Sequence, residues 1–339
     1  MTNRRPTQAD VAKLAGVSQT VVSQILNNND ISVSDGTRQR VLDAIDQLGY
    51  VPNKSAQSLR SQKTRTIACV IPDITNPYYP AFQRGVQKVT IEQNFDLFVY
   101  DTEENEENEI RCLKAIQSSG VDGAILVLFH HHIDDLTPLL KQGIHLVVLA
   151  SSFLDIQDSE IDIIYNRNDE MAELATNYLI QKGHTKIGMI AGLDETPPRK
   201  FREIGYLKAL ENSHLPLDQM CIQGGDFTEK GGYEAMQMIL DMEEDLPTAI
   251  FAANDLMALG AMAAIREAGL SIPADIALIG IDDIPAANLV YPRLTTINQH
   301  QEQGGMDAAE MLISRIQGQY TGPGRVLEGS FELIIRESA

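Results

Sequence analysis

Residues 7–26 read TQADVAKLAGVSQTVVSQIL, and this stretch decides the fold of the N-terminal part of the chain. Thr7, followed three residues later by Asp10, forms the pattern of a capping box, which predicts the start of a helix. Gly16 can adopt the left-handed conformation that ends a helix, and Ser18 is a suitable N-cap for a second one. The stretch therefore predicts two short helices joined by a tight turn.

Apolar residues in and after this stretch repeat at helical spacing and predict three helices in all. The second is predicted over Gln19–Leu26, and a third over Asp35–Leu48 is closed by Gly49. Their buried faces are predicted to comprise Val11, Ala12, Leu14, Ala15, Val22, Ile25, Leu26, Val41, Leu42, Ile45 and Leu48. Two short helices completed by a third form a helix-turn-helix domain. The alternative is a scaffold that binds protein, but the outward side chains of the second helix are short hydrogen-bonding groups suited to a DNA major groove.

Charge is distributed unevenly over the 339 residues, whose net charge is −20. Residues 1–66 hold nine basic and five acidic residues, a net charge of +4, whereas the other 18 basic and 42 acidic residues give −24. A small basic segment on a large acidic one is expected when only one end of a protein meets nucleic-acid phosphates. The acidic part would repel DNA and keep the protein soluble.

Composition limits the class of protein further. Hydrophobic residues make up 43% and charged residues 22%, as in ordinary soluble globular proteins. No apolar run reaches the length of a membrane span, and the polar N-terminus lacks the apolar core of a secretory signal, so neither membrane insertion nor export is expected. Cys69, Cys112 and Cys221 are widely spaced, which argues against a disulfide framework or a cysteine zinc site and predicts a reducing, cytoplasmic environment.

Beyond residue 66, short apolar runs alternate with amphipathic stretches. Strands are predicted over residues 67–71, 97–100, 124–128, 146–149, 186–190, 249–252 and 277–281. Helices are predicted over residues 82–93, 110–118, 171–182, 206–212, 233–240 and 256–268. This alternation implies parallel sheets connected by right-handed crossovers. Because about 270 residues are too many for one small doubly wound sheet, two lobes are expected.

A series of motifs follows in order along the chain. In the basic part they are PTQADVAKLAGVS at 6–18, TR at 37–38, LGYVPN at 48–53 and AQSL at 56–59. In the acidic part they are IPDITNPYY at 71–79, KGH at 182–184, ANDLMA at 253–258, GIDDIP at 280–285 and PRLTTI at 292–297. Together these motifs resemble the lac/gal repressor family of bacterial transcriptional regulators over nearly the whole chain.

This resemblance implies a small all-α helix-turn-helix head and an α/β two-lobed body like a periplasmic binding protein. It implies a DNA-binding domain over residues 1–50, a hinge segment with a hinge helix over 51–65, and an effector-binding and dimerisation domain over 66–339. The N-terminal lobe would comprise about 66–164 and 296–325, and the C-terminal lobe about 165–295 and 326–339. A homodimer is expected, because the tail has no leucine heptad of the kind that forms tetramers.

The resemblance assigns contacts with double-stranded operator DNA to the head and hinge. The residues concerned are Thr7, Ser18, Gln19, Thr20, Val21, Ser23, Gln24, Asn27, Asn53, Ala56 and Leu59. Leu59, with Ala56 beside it, would be the apolar wedge that enters the minor groove and bends the duplex; the alternative is a leucine that packs within a helix. Val21 replaces a threonine usual in the family, so a contact with a thymine methyl is expected in place of a hydroxyl contact with phosphate. Gln24 replaces an arginine, so adenine is expected there in place of guanine.

A small effector is expected between the lobes, at the carboxyl ends of the strands. The resemblance places Asp73, Tyr78, Tyr79, Arg202, Phe227, Asn254 and Asp282 there, and His130 is also expected to line the cleft. Tyr79 and Phe227 can stack on a sugar ring or a base. Arg202 and Asp282 can grip polar groups from opposite walls. Two alternatives stay open, namely that Asn254 only caps the following helix and that Phe227 belongs to the core.

The remaining patterns predict no metal site and no catalysis. His130, His131 and His132 are adjacent, so their side chains alternate in direction on an extended chain and rarely converge on one ion. The acidic run 103–107 is interpreted as a solvated helix start, where acids complement the helix dipole. An enzyme is disfavoured because no GxGxxG follows the first strand, and no Walker A loop, GxSxG elbow or HExxH motif occurs in the sequence.

The sequence thus predicts a cytoplasmic, ligand-controlled transcriptional repressor that needs no cofactor. An exported sugar receptor is the second alternative, and both the basic head and the missing signal peptide argue against it. The aromatic and polar residues expected in the cleft suit a sugar best, and a purine or nucleoside next.

Overall fold

The computed structural model describes residues 4–26, 33–51, 63–151, 159–242 and 246–339. The chain divides into two compact units, Met1–Thr64 and Arg65–Ala339, which we call the head and the body. Asn27, Asn53, Ala56 and Leu59, four of the predicted DNA contacts, lie outside the described residues, as does most of the predicted hinge.

The head contains the three predicted helices. They are α1 Gln8–Ala15, α2 Gln19–Leu26 and α3 Asp35–Leu48. The Asp10 carboxylate accepts hydrogen bonds from the backbone N–H and the hydroxyl of Thr7, at 2.8 and 2.7 Å. Ser18 accepts from a backbone N–H of α2 at 3.4 Å and so caps that helix. Gly16 and Gly49 end α1 and α3 in the left-handed region, with φ of 67° and 57°.

The core of the head differs from the prediction at two leucines. Leu14 and Leu42 are 46% and 42% exposed, whereas both were expected to be buried. On α3 the inward stripe runs through Val41, Ala44 and Ile45, at the i, i+3, i+4 spacing of one helix face. One residue turns a helix by about 100°, so Leu42 lies to the side of this stripe.

The first lobe of the body is built on a six-stranded parallel sheet. Its strands are β1 Thr66–Ile71, β2 Asp96–Asp101, β3 Gly123–Leu126, β4 His145–Ala150, β5 Asp162–Tyr165 and β11 Val326–Glu328. Their order in the sheet is β11-β5-β4-β3-β1-β2.

The second lobe is built on another six-stranded sheet. Its strands are β6 Ile187–Ala191, β7 Ile222–Gly224, β8 Ala249–Ala252, β9 Ala277–Ile281, β10 Thr295–Asn298 and β12 Glu332–Ile334. Their order is β12-β10-β9-β8-β6-β7, and the pairs are parallel except for β12, which is antiparallel to β10.

Helices cover both faces of these sheets. The first lobe has α4 Tyr78–Glu92, α5 Glu106–Ser119, α6 Thr137–Leu140 and α11 Gln301–Ile316, and the second has α7 Asn168–Gln181, α8 Pro197–Asn212, α9 Glu229–Leu240 and α10 Asp255–Glu267. In β1, Ile67, Cys69 and Ile71 pack with α4 and α11, whereas Ala68 and Val70 pack with α5 on the opposite face. Such two-sided burial explains why the strands are continuous apolar runs. Within the described ranges, no helix has the length and apolar character needed to span a membrane.

The predicted elements of the body occur, and their limits differ in an informative way. All seven predicted strands lie within two residues of observed ones, while the short strands β5, β7, β10, β11 and β12 and the helices α6 and α11 were not predicted. Helix α8 begins nine residues before its predicted start at Tyr206, at Pro197. Proline is tolerated in a first helical turn, and the apolar repeat begins only later in this helix.

The chain passes from one lobe to the other at three points, and two of these boundaries differ from the predicted ones. Strand β10 pairs with β9, so the chain remains in the second lobe up to Asn298 rather than residue 295. Strand β11 pairs with β5, so the chain leaves the first lobe after Glu328 rather than residue 325. In both places the predicted boundary cut through or before a strand that extends the ladder of an existing sheet.

Candidate effector cleft and DNA-binding head

A cavity of about 580 Å³, part of it open to solvent, lies between the two lobes of the body. It is lined by Asn76, Tyr78, Tyr79, Glu104, Val127, Leu128, Phe129, Leu149, Ser151, Asn166, Asn168, Pro198, Arg202, Phe227, Asn254, Asp282 and Gln299. Most of these residues lie within five positions after the carboxyl end of a strand. The parallel strands of both sheets end at this edge, which is where ligands bind in open α/β folds.

The structure brings six of the eight predicted effector residues to this cavity. They are Tyr78, Tyr79, Arg202, Phe227, Asn254 and Asp282. Asp73 is not among the lining residues, because its carboxylate accepts bonds from the backbone N–H and the hydroxyl of Thr75, each at 2.7 Å. His130 lines an adjoining cavity, and its ring Nε2 lies 3.0 Å from the backbone oxygen of Glu104.

Two tyrosines at the start of α4 form an aromatic wall on the first lobe. The rings of Tyr78 and Tyr79 meet edge to face, with centroids 5.0 Å apart. The side-chain amide of Asn166 donates to the Tyr78 hydroxyl oxygen at 3.1 Å, which leaves the hydroxyl proton available to a ligand. Burial raises the pKa of Tyr78 to about 12 and that of Tyr79 well above its usual value, so both phenols stay neutral.

Arg202 on α8 supplies the positive charge of the second lobe's wall. Its Nε donates to Asn168 Oδ1 at 2.8 Å, and its Nη1 donates to the backbone oxygen of Ala253. The residue is only 7% exposed, and burial lowers its pKa, an effect that the nearby Asp282 charge opposes. The two bonds fix the guanidinium plane and leave donors on Nη2 for a ligand.

Asp282 follows β9 and belongs to the same wall as Arg202, whereas the two were expected on opposite walls. Gln299 donates to its carboxylate at 2.6 Å, and Gln301 donates to its backbone oxygen. Its φ of 126° is unusual for a residue with a side chain. Burial raises the pKa of Asp282 to about 7, although the Arg202 charge acts in the opposite direction.

The two alternatives for Asn254 and Phe227 both describe part of what the structure contains. Asn254 caps α10 by accepting from the backbone N–H of Met257 at 2.9 Å, and its amide donates to the backbone oxygen of Phe227 at the same distance. The Phe227 ring is 6% exposed and packs in the core, yet its edge lines the cavity. A side-chain carbon at Gly192 would lie 2.0 Å from this ring, so only glycine gives it room.

Sequence analysis missed the polar residue Glu104, which follows β2. The acidic run 103–107 was interpreted as a solvated helix start, and α5 does begin there, with Asn105 as its N-cap. Glu104, however, lies against the cavity, half-buried. Asn76, Asn166, Asn168 and Gln299 were missed as well. Their position just after strand ends was the available signal.

The three adjacent histidines have different surroundings. His130 contacts the backbone of Glu104, whereas the ring Nδ1 of His131 lies 2.8 Å from the buried carboxylate of Glu109. The same carboxylate accepts from the backbone N–H of Phe129 at 2.7 Å and so holds this loop. Over the part of the chain that the structure describes, no group of three or more His, Cys, Asp or Glu residues is arranged to hold a metal ion.

In the head, the described candidates for DNA contact differ in exposure. Thr7, Ser18, Gln19 and Thr20 are exposed, while Val21, Ser23 and Gln24 are partly buried. Val22 and Ile25 point into the core, and Val21 packs against its edge. The exposed surface of α2 is thus polar at its N-terminal end, the end with which a recognition helix contacts base edges.

Comparisons with known proteins agree with this architecture. Residues 7–53 match the family model described as bacterial regulatory proteins, lacI family, and residues 176–339 match the periplasmic binding protein-like domain. The HTH-type transcriptional repressor PurR of Actinobacillus pleuropneumoniae is 36% identical over 330 residues, which cover 97% of both chains. The protein belongs to the lacI family of bacterial regulatory proteins.

Solved structures of this family superpose on the chain over almost its full length. The lac repressor dimer bound to operator and the anti-inducer ONPF is 26% identical, with a TM-score of 0.86 and 99% of each chain covered. The complex of the transcriptional regulator CelR with cellobiose is 33% identical, with a TM-score of 0.72, and covers 99% of this chain and 100% of that one. As a member of the family the protein is a transcriptional repressor with a DNA-binding domain and a ligand-binding domain, and it is not an enzyme.

Proposed function

We propose that the protein is a homodimeric repressor that binds a pseudo-palindromic operator and is controlled by a small effector bound between the lobes of the body. A sugar or sugar derivative is the proposed class of effector. The observation that carries this proposal is the composition of the cavity, where tyrosine and phenylalanine rings stand beside the fixed polar pair Arg202 and Asp282. A sugar ring offers an apolar face to aromatic rings and hydroxyl groups to such polar side chains.

Two structures of relatives support a ligand of this class. The relative CelR was solved with cellobiose, and the lac repressor dimer with operator and an anti-inducer. Cellobiose is a sugar, and the second complex pairs a dimer with DNA and a small ligand.

A purine or nucleoside is the second candidate, favoured by the aromatic rings. The Phe129 and Phe227 rings, from opposite lobes, have centroids 6.4 Å apart and are tilted by 44°. Two stacking contacts would need about 7 Å between rings, so a base would stack on one ring rather than between both.

The proposed mechanism couples the cleft to the segment that leads to the head. Arg65, the first residue of the body, donates its backbone N–H to Asp122 at 2.7 Å and its guanidinium to the backbone oxygens of Gln93 and Asn94 at 2.8 and 3.1 Å. Any rotation of the first lobe on ligand binding would therefore move the start of this segment. Such coupling is typically about 1–3 kcal/mol, or about 5- to 150-fold in operator affinity.

Selection of duplexes from a random DNA pool tests the DNA-binding half of the proposal. Purified full-length protein without ligand, at near-physiological salt, is expected to enrich a pseudo-palindrome with a flexible pyrimidine–purine step at its centre. Leu59→Ala is expected to lower affinity for that sequence, because the apolar wedge is lost. Unchanged specific affinity in Leu59→Ala would exclude the wedge assignment.

The selected duplex then serves to screen effectors. A panel of free sugars, purine bases and nucleosides is added to the protein–DNA complex, and release of DNA identifies an inducer. If the pool yields no sequence, the selection is repeated with each ligand present, since a corepressor would then be needed. If no ligand either induces or releases specific DNA binding, the proposed control by a small effector is contradicted.

A further inference from the structure

Among the charged side chains that line the cleft, the carboxylate of Glu104 has the fewest hydrogen-bond and ion-pair partners. Its backbone is fixed on both sides, because its N–H donates to the Pro72 oxygen at 2.8 Å and its own oxygen lies 3.0 Å from His130 Nε2. Those partners belong to the loops after β1 and β3. The side chain is half-buried against the cavity, and among the described residues no group donates a hydrogen bond to its carboxylate or forms an ion pair with it.

The surroundings of Glu104 are acidic. Burial and the neighbouring charges of Asp73, Asp226 and Asp101 raise its pKa to about 7. Asp73 and Asp101 belong to the first lobe, and Asp226 belongs to the second. A buried or half-buried carboxylate without a donor is costly, so this one stands ready for a donor supplied by a ligand.

Among the described residues that line the cavity, Arg202 is the one lysine or arginine, and it lies on the wall of the second lobe. Arg202 donates to Asn168 and Ala253 and is electrostatically coupled to Asp282. Arg199, one turn earlier on α8, faces the adjoining cavity and forms an ion pair with Asp194. An anionic group placed beside Glu104, on the first lobe's wall, would therefore meet a carboxylate with no lysine or arginine from the described part of that wall to balance it.

We propose that Glu104 determines specificity by accepting a hydrogen bond from the effector, which restricts the cleft to uncharged ligands such as free sugars or nucleosides and excludes their phosphates. This inference rests on the proposed function, because it concerns the ligand of the same cleft. A hydroxyl or amino group supplies the donor that the carboxylate lacks. A phosphate offers mainly acceptors at neutral pH, so it leaves the charged form of Glu104 without a donor, and it is repelled by the acidic wall.

Matched pairs of ligands test the proposal. Glucose and glucose 6-phosphate, ribose and ribose 5-phosphate, adenosine and its 5′-monophosphate, and cytidine and its 5′-monophosphate are titrated into the full-length protein by calorimetry. For at least one pair the uncharged member is expected to bind and its phosphate to bind at least about 10-fold more weakly. In Glu104→Gln, affinity for the uncharged member is expected to fall about 10- to 100-fold, and the preference over the phosphate to shrink.

Glu103→Gln is the matched control, because Glu103 is exposed and shares the left-handed backbone of Glu104, with φ of 51° against 53°. The Glu103→Gln variant is expected to bind the uncharged ligand with the affinity of the unmodified protein. Binding of a phosphate as tightly as its uncharged partner, or an unchanged affinity in Glu104→Gln, would overturn the inference and leave the proposed function intact. Failure of all eight ligands to bind would contradict the proposed classes of effector and the inference with them.

Discussion

The two walls of the cleft differ in how their polar groups are held. On the second lobe, Arg202, Asn254 and Asp282 are each hydrogen-bonded to other parts of the protein before any ligand arrives. On the first lobe, the Glu104 carboxylate and the Tyr79 hydroxyl lack hydrogen-bond partners among the residues that the structure describes. The second wall is thus preorganised, whereas the first wall depends on the ligand to complete its bonds.

Because of this difference, we expect the two walls to contribute differently to ligand binding. A preorganised wall contributes affinity because its side chains lose little freedom on binding. A wall with unsatisfied groups gains stability only when the ligand bridges the lobes, and that gain can favour one lobe arrangement over another. The comparison predicts that removing a group from the second wall has the larger effect on affinity, and that changes in the first wall lower affinity less while also altering selectivity and coupling.

Arg202→Ala is expected to produce the largest effect. Effector affinity should fall about 100- to 1000-fold, because the variant removes the cation of the site and leaves Asp282 buried without it. The response of DNA binding to effector should vanish, while the variant still folds and its DNA binding without ligand stays nearly unchanged. Calorimetry with the effector found in the screen and operator binding with and without it measure both quantities.

Arg199→Ala provides the matched control for this variant. The residue lies on the same helix but pairs with Asp194 and faces the adjoining cavity. Its loss should change effector affinity by less than about threefold, the modest effect expected of an exposed ion pair. Equal losses in the two variants would mean that the second wall has no fixed cation for the ligand.

Local signals explain why the head could be predicted closely. Thr7, Ser18, Gly16 and Gly49 lie at helix ends, where capping preferences depend on a few neighbouring residues. The bounds of all three helices were therefore predicted from sequence and agree with the structure. The exposed Leu42 shows the limit, because an apolar residue beside a buried stripe cannot be told from one within it by spacing alone.

The cleft was predictable only in part, since tertiary contacts decide which side chains reach it. The family resemblance assigned seven effector residues, six of which line the cavity, but it did not reveal that Arg202 and Asp282 share a wall. The position of Glu104 at the cavity was not predicted, because its backbone is held by bonds to Pro72 and His130, about 30 residues away on either side. In an acidic run, no pattern distinguishes the residue turned inward from its solvated neighbours.

The pH dependence of effector binding tests both walls at once and should be smaller than the effect of losing Arg202. The pKa values of Glu104 and Asp282 are each raised to about 7, one carboxylate on each wall. A ligand that donates to them favours their charged forms, so binding lowers both pKa values and releases protons. Affinity should therefore rise with pH through 7, by about 10-fold between pH 6 and 8, and then level off.

Other charged and titratable groups surround the two carboxylates and contribute to this profile. Around Glu104 they are Asp73, Asp101, Asp226, Tyr79 and the ring of His130. Around Asp282 they are Arg202, Tyr78, Tyr79 and Asp255, a buried carboxyl whose pKa is raised to about 8. Calorimetry in buffers of different ionisation enthalpy counts the protons released. Glu104→Gln should reduce that number and flatten the profile. Affinity that falls as pH rises would show instead that the ligand accepts bonds from protonated carboxyl groups.

Tyr78→Phe should have the smallest effect and sharpens the distinction between the walls. The Tyr78 hydroxyl accepts from Asn166 at 3.1 Å and can give its proton to a ligand, so its loss removes one neutral hydrogen bond and leaves the ring in place. Affinity should fall about 2- to 10-fold, as expected for about 0.5–1.5 kcal/mol. Asn166→Ala, which removes the donor but keeps the hydroxyl, should weaken binding less, because the phenol can still donate. A loss of 100-fold or more in Tyr78→Phe would place an essential fixed contact on the first wall and contradict the division between a preorganised wall and a ligand-dependent one.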